Sequence, residues 1–213
     1  MLAVALSLSH PGRATGQAPD PALEGRVDAR TLALVQPALQ AATRDSLPVE
    51  ALRAKVLEGS AKSRPPELIA RVANQLLDEL RATRGALRDE LPGISISGDE
   101  LVAASLARQH GVPTAVVAEL WSSRPAGGSL QIPVTVLAEL VRRGVPADGA
   151  SALMRHVLTT GVPLDRAAQI PGRFDGASRP GVGAPQALER ALRELNIPGP
   201  PPGRGRGPGG LDG

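Results

Sequence analysis

The stretch Leu140-Val141-Arg142-Arg143-Gly144-Val145-Pro146 decides how this chain folds. Apolar and charged residues recur at helical spacing up to Arg143; then come glycine, one apolar residue and proline. Helices commonly stop with glycine in the left-handed conformation just past the last helical residue, because glycine has no Cβ to clash with the backbone. The next residue is often apolar and folds back over the last turn, which places Val145 over Leu140. Proline's fixed φ suits the first helical position, where its missing N–H is not needed. One triplet therefore ends one helix and opens the next with almost no loop, and the two helices must turn sharply and pack on each other.

The joint recurs as Gly111-Val112-Pro113 and as Gly161-Val162-Pro163, which places Val162 over Val157. Looser copies are Ser46-Leu47-Pro48, Gln131-Ile132-Pro133 and Asn196-Ile197-Pro198. The later opening prolines, 113, 133, 146 and 163, are unevenly spaced. A solenoid keeps a fixed period, so the joints are reused without forming an array.

The sequence between joints is helical in pattern. A run from 26 to about 45 is interrupted by Gln36-Pro37, which predicts a kink or a break. The next helix opens at Pro48, with Val49, Leu52 and Val56 on one face and Gly59 weakening it. The clearest helix runs from 66 to about 88, where Ile69, Val72, Leu76, Leu80, Thr83 and Leu87 recur at steps of three and four. Ile94-Ser95-Ile96-Ser97 reads as an extended linker. Ser97 followed three residues later by Glu100 is a capping box opening a helix to about 109. Four short helices then open at Pro113, Pro133, Pro146 and Pro163, with 122–130 as a loop. Their core candidates are Val116, Val117 and Leu120, then Val136, Leu137 and Leu140, then Leu153, Met154, Val157 and Leu158. The predicted fold class is all-α: a compact bundle of seven to nine mostly short helices joined by tight Gly-x-Pro corners, with disordered N- and C-terminal tails.

This helical domain spans 26–170. Residues 171–213 read as a Gly/Pro/Arg-rich tail with room for one short helix at 185–195. Residues 196–213 hold seven glycines and five prolines among 18 residues, a composition that cannot build a core. At the other end, residues 2–8 form an apolar run, and Ala14-Thr15-Gly16 has the small-x-small form of a secretory cleavage site. Residues 1–16 are therefore read as a signal peptide and 17–25 as a linker. The expected location is exported, periplasmic or extracellular; the alternative is a cytoplasmic protein with a disordered N-terminus. No run approaches 18 consecutive apolar residues, so no transmembrane segment is expected.

Composition narrows the function classes. There are no cysteines, which excludes disulfides, thiolate metal sites and a cysteine nucleophile. The sequence pI is 10.4, yet the net charge is only +3. Lysine occurs only at Lys55 and Lys62, and arginines alternate with carboxylates along the helices as on an ordinary solvated surface. Trp121 and Phe174 are the only aromatics, too few for base stacking or for a typical small-molecule pocket. Nucleic acid is therefore not an expected partner.

No catalytic, cofactor or metal signature is found. The histidines are His10, His110 and His156. His110 falls at a helix C-terminus, where a cation favours the dipole, and His156 is expected on a surface. Three scattered imidazoles do not make the clustered ligand set that zinc needs. Gly93-Ile94-Ser95-Ile96-Ser97 fails the nucleophile-elbow pattern at its last position. Gly205, Gly207 and Gly210 match the dinucleotide-binding glycine spacing but follow no strand. The corner at 111–113 resembles a helix opening in lytic transglycosylases, but the Glu-Ser pair of those enzymes is absent from Glu119-Leu120-Trp121-Ser122. Glu119 is read as a solvated helix residue, with a general acid as the sharper alternative. Trp121 is expected as a core anchor or, alternatively, as a contact for a protein partner.

Two stretches carry a family likeness: Leu47-Pro48-Val49-Glu50-Ala51-Leu52 with Lys55, Glu58-Gly59 and Lys62, and the run from Val136 to Pro146. Over roughly 26–160 the chain resembles an uncharacterised group of small, Ala/Arg-rich exported bacterial proteins. The resemblance implies export and an all-helical fold and carries no activity. The leading expectation is a non-enzymatic exported helical protein acting through protein–protein interaction in the cell envelope, its partner and oligomeric state open. The alternatives are an envelope hydrolase with an atypical site around Glu119 or the histidines, and a cytoplasmic nucleic-acid-associated protein.

Overall fold

The computed structural model describes residues 20–199. They are all-helical, with nine helices of eight residues or more and one single turn, and no strand among the described residues. In chain order these are α1 (Ala29–Arg44), α2 (Val49–Ala61), α3 (Pro66–Glu90), α4 (Gly98–Gln109) and α5 (Thr114–Ser122). They are followed by α6 (Gln131–Arg142), α7 (Ala147–Thr160), the single turn α8 (Leu164–Ala167), α9 (Ile170–Ala177) and α10 (Ala184–Glu194). The expected signal peptide, His10, the glycine triplet at 205–210 and the end of the tail lie outside the described residues.

The joints close as their residues dictate. Gly144 has φ +88, its N–H donates to Val141 O at 2.9 Å, and Val145 N–H donates to Leu140 O at 3.0 Å. The same pair of bonds recurs at Gly111 and Val112. It recurs without glycine at Ser46, Ser63 and Asn196, whose φ values lie between +50 and +53. The apolar residue that follows is buried at Leu47, Val112, Val145 and Ile197, so its contact supports the left-handed turn even where a Cβ is present. Residues 63–65 are thus a joint hidden by Arg64 in the apolar slot. In contrast, 131–133 is no joint: α6 starts at Gln131, and Pro133 sits in its first turn, where no N–H is needed. Pro113, Pro146 and Pro163 stand one residue earlier than expected, as extended caps immediately before the helix.

Three further expectations are corrected. Of the kink or break expected at Pro37, the break does not occur: α1 runs through it. Pro37 and Ala33, whose carbonyl loses its partner, are both exposed, so water can satisfy that carbonyl. The domain also begins before 26: Leu23 is fully buried, and the Asp20 carboxylate accepts from Arg53 Nε and Nη2 at 3.0 and 2.8 Å. Finally, the domain does not end at 170. α9 and α10 pack on each other, and Ile170, Phe174, Ala191 and Leu192 join the common core. Asp175 on α9 forks onto Arg143 at 2.7 and 2.9 Å, tying this segment to the end of α6.

The core candidates at 117–158 are buried, with Val116 at the core edge. α3 differs in an instructive way. Its core stripe is Ile69, Ala73, Leu77, Leu80 and Leu87, while Val72 and Leu76 are only half-buried.

Candidate functional site

α4 stands between a closed half and an open groove. Glu100 completes the capping box: Ser97 N–H donates to its carboxylate at 2.9 Å, and Glu100 N–H donates to Ser97 Oγ at 3.3 Å. Its other oxygen accepts from Leu130 N–H at 2.9 Å and from Arg124 Nη1 at 3.4 Å. One buried carboxylate thereby holds the start of α4 and the residue capping α6, the helix against which α4 packs most extensively. Burial pushes the Glu100 carboxyl up, but the backbone bonds from Leu130 and Ser97, aided by Ser97 Oγ and Arg124, hold it below the ordinary value.

The opposite side of α4 is open. α2 and α4 both pack on α3. They meet each other at their starts, where a Cβ on Gly98 would lie 3.2 Å from Pro48 Cβ. Beyond that point they leave a cleft of about 470 Å³ with Val72 and Leu76 of α3 as its apolar floor. The walls are small or aliphatic: Ala51 and Ala54 on α2, Val102, Ser105 and Leu106 on α4. The cleft runs on past Lys55 and Glu58 into a hollow of about 330 Å³ that reaches Leu68, Lys62 and Arg64. Along α3 this trough extends from Glu79 to Leu68, about 17 Å at the helical rise. Leu68 is 37% exposed, one of the few large apolar side chains left in water.

Close approach of α2 to α3 at one end of the trough depends on Gly59. A Cβ there would lie 2.8 Å from Ile69 Cγ1, well inside contact distance. The glycine that weakens α2 as a helix is thus what lets it seat on α3. Both lysines of the chain stand on this rim, and both bind Glu58: Lys55 Nζ at 2.8 Å and Lys62 Nζ at 2.5 Å. These two hydrogen bonds, Lys55 first, pull the Glu58 carboxyl down to about 2. At the other end the rim carries Glu79 and the amides of Gln75 and Gln109. In the α4 wall, the Ser105 hydroxyl is buried and has no hydrogen-bond partner within the chain.

The residues singled out in the sequence do not converge. Trp121 is 7% exposed and packed in the core cluster, so it offers little surface to a partner. Glu119 is exposed on α5 and pairs with Arg155 of α7 at 3.4 Å. His110 caps the end of α4, as its position predicts. His156 is not a simple surface residue: it is half-buried, and its Nε2 is enclosed without a partner. Among the described residues, no three His, Asp or Glu side chains form a group that can hold a metal ion. No described helix is long and apolar enough to cross a membrane.

The trough itself escaped the sequence reading, although a signal was present. Leu68, Val72 and Leu76 extend the apolar stripe of α3 beyond what one packed face needs. Compared with known proteins, the chain matches no protein-family model, no curated protein and no solved structure.

Proposed function

We propose that this is a non-enzymatic binding protein, exported to the cell envelope, whose contact surface is the trough between α2, α3 and α4. One observation carries the reading: α3 leaves an apolar strip uncovered between two walls of small side chains. Its length, about 17 Å, suits three turns of an amphipathic helix laid along the strip. The charged groups stand on the rim, where Lys55 and Lys62 pair with Glu58, and leave the floor apolar, which suits a docking surface better than a reaction centre. Export follows from the signal-like residues 1–16 and from the resemblance to small exported bacterial proteins.

Each part of this reading has its own test. Fractionation of the host with N-terminal sequencing should find a mature chain beginning at Gln17 outside the cytoplasm; an intact Met1 inside the cytoplasm would refute export. Zymography on cell-wall substrate should show no cleared band. A band that disappears with Glu119→Ala would replace binding with hydrolysis. For the contact surface, Ala54→Trp fills the trough from an exposed position, and should abolish partner binding while leaving thermal stability unchanged.

A further inference from the structure

Building on the trough as a helix-binding site, we infer the chemistry and direction of its occupant. It is an amphipathic helix of a partner protein, with its acidic end over Lys62 and Arg64 and a face of small residues against Ala51 and Ala54. Charge along the trough is unequal. At the Leu68 end the lining contains Lys55, Lys62 and Arg64 against Glu58 alone. The nearby Glu67 is engaged by Arg30 of α1. At the other end the lining contains Glu79 and neutral amides, with Lys55, paired to Glu58, as the only cation. A helix carrying carboxylates at one end is therefore favoured in one direction and opposed in the other, since complementary charge chiefly fixes orientation and partner choice.

Side-chain size sets the second requirement. Ala51, Ala54 and Ser105 stand where larger residues would close the walls, so an incoming helix can approach closely in the middle of the trough. Leu68 and Val72 then take the larger aliphatic groups of the occupant near the acidic end.

The test is selection on the full chain from a displayed library of amphipathic helices of about 15 residues, long enough for a trough of this length. Charge placement is left free. Enriched sequences should gather Asp and Glu at one end, and a photoreactive group at that end should label residues 62–68. The Lys62→Glu/Arg64→Glu chain should bind these peptides about tenfold more weakly. Enriched helices with scattered charge, or labelling near Glu79 from the acidic end, would overturn the inferred direction while leaving the trough as the site. No enrichment, or binding that survives Ala54→Trp, would overturn the trough reading and the direction with it.

Discussion

The face of α4 that meets α6 and the face that borders the trough belong to one twelve-residue helix, yet they finish their polar groups differently. Towards α6, Glu100 is 3% exposed and every oxygen it carries is used, by Ser97, Leu130 and Arg124. Towards the trough, Ser105 is equally buried and its hydroxyl is used by nothing in the chain. Buried polar groups are nearly always paired, because an unpaired one forfeits its hydration without return. Trp121 Nε1 and Ser151 Oγ are likewise buried and unpaired away from the trough, so it is the half-covered aliphatic strip of α3, rather than the hydroxyl, that marks this face as unfinished packing. The comparison teaches that one side of the helix is closed for stability while the other is left free for the contact proposed above.

The strongest way to break that division is Glu100→Ala. It strands the buried Leu130 N–H, removes half of the capping box and should cost about 3 kcal/mol in chemical denaturation. A loss under about 0.5 kcal/mol would mean that Glu100 does not organise the closed side. Next is Gly59→Ala. Alanine gains about 1 kcal/mol of helix propensity, but the new Cβ meets Ile69 Cγ1 at 2.8 Å. Overpacking of this kind costs about 1–3 kcal/mol, so a net destabilisation is expected from the same measurement. A stabilised variant would show that α2 seats on α3 more loosely than described.

Acid should sharpen the contrast. The folded-state carboxyl of Glu100 is held below its ordinary value of 4.5. Its contribution is therefore complete above that value and is lost as pH falls through the lower folded-state value. The stability gap between the native chain and Glu100→Gln should be constant near neutrality and close below about pH 4. A gap that persists unchanged in strong acid would contradict the ionised role. The smallest effect is expected on the open side. Ser105→Ala removes a hydroxyl with no partner and should leave stability unchanged or raise it by up to about 1 kcal/mol. A loss above that amount would reveal a partner for the hydroxyl within the chain.

Much of the fold is legible in the residues, and the exceptions have physical reasons. The joints at 111, 144 and 161, the capping box at Ser97 and the long helix α3 follow from local chemistry, which acts within a few residues. The joint at 63–65 is hidden because Arg64 fills an apolar slot, and of the kink or break expected at Pro37 the break does not occur, because the Ala33 carbonyl that it orphans faces water. α9 was masked by Pro171 and Gly172, which are breakers in a helix interior but fall in its first turn, where proline is tolerated. The spacing of Ile170, Phe174 and Ala177 was the signal that marked it as helix. The second role of Glu100 and the trough depend on segments far apart in sequence: Leu130 lies 30 residues from Glu100. Periodicity shows that α3 has apolar residues to spare; only the placement of α2 and α4 shows which ones stay uncovered.

The most direct test is site-specific photo-crosslinking in the living host, with the reactive residue placed at the exposed Gln75 on the rim of the trough and, as a control, at the exposed Arg190 on α10. A discrete protein adduct from position 75 alone, lost when the trough is filled by Ala54→Trp, is the predicted result. Adducts from position 190 but not 75, or adducts from 75 that persist in the filled trough, would contradict it.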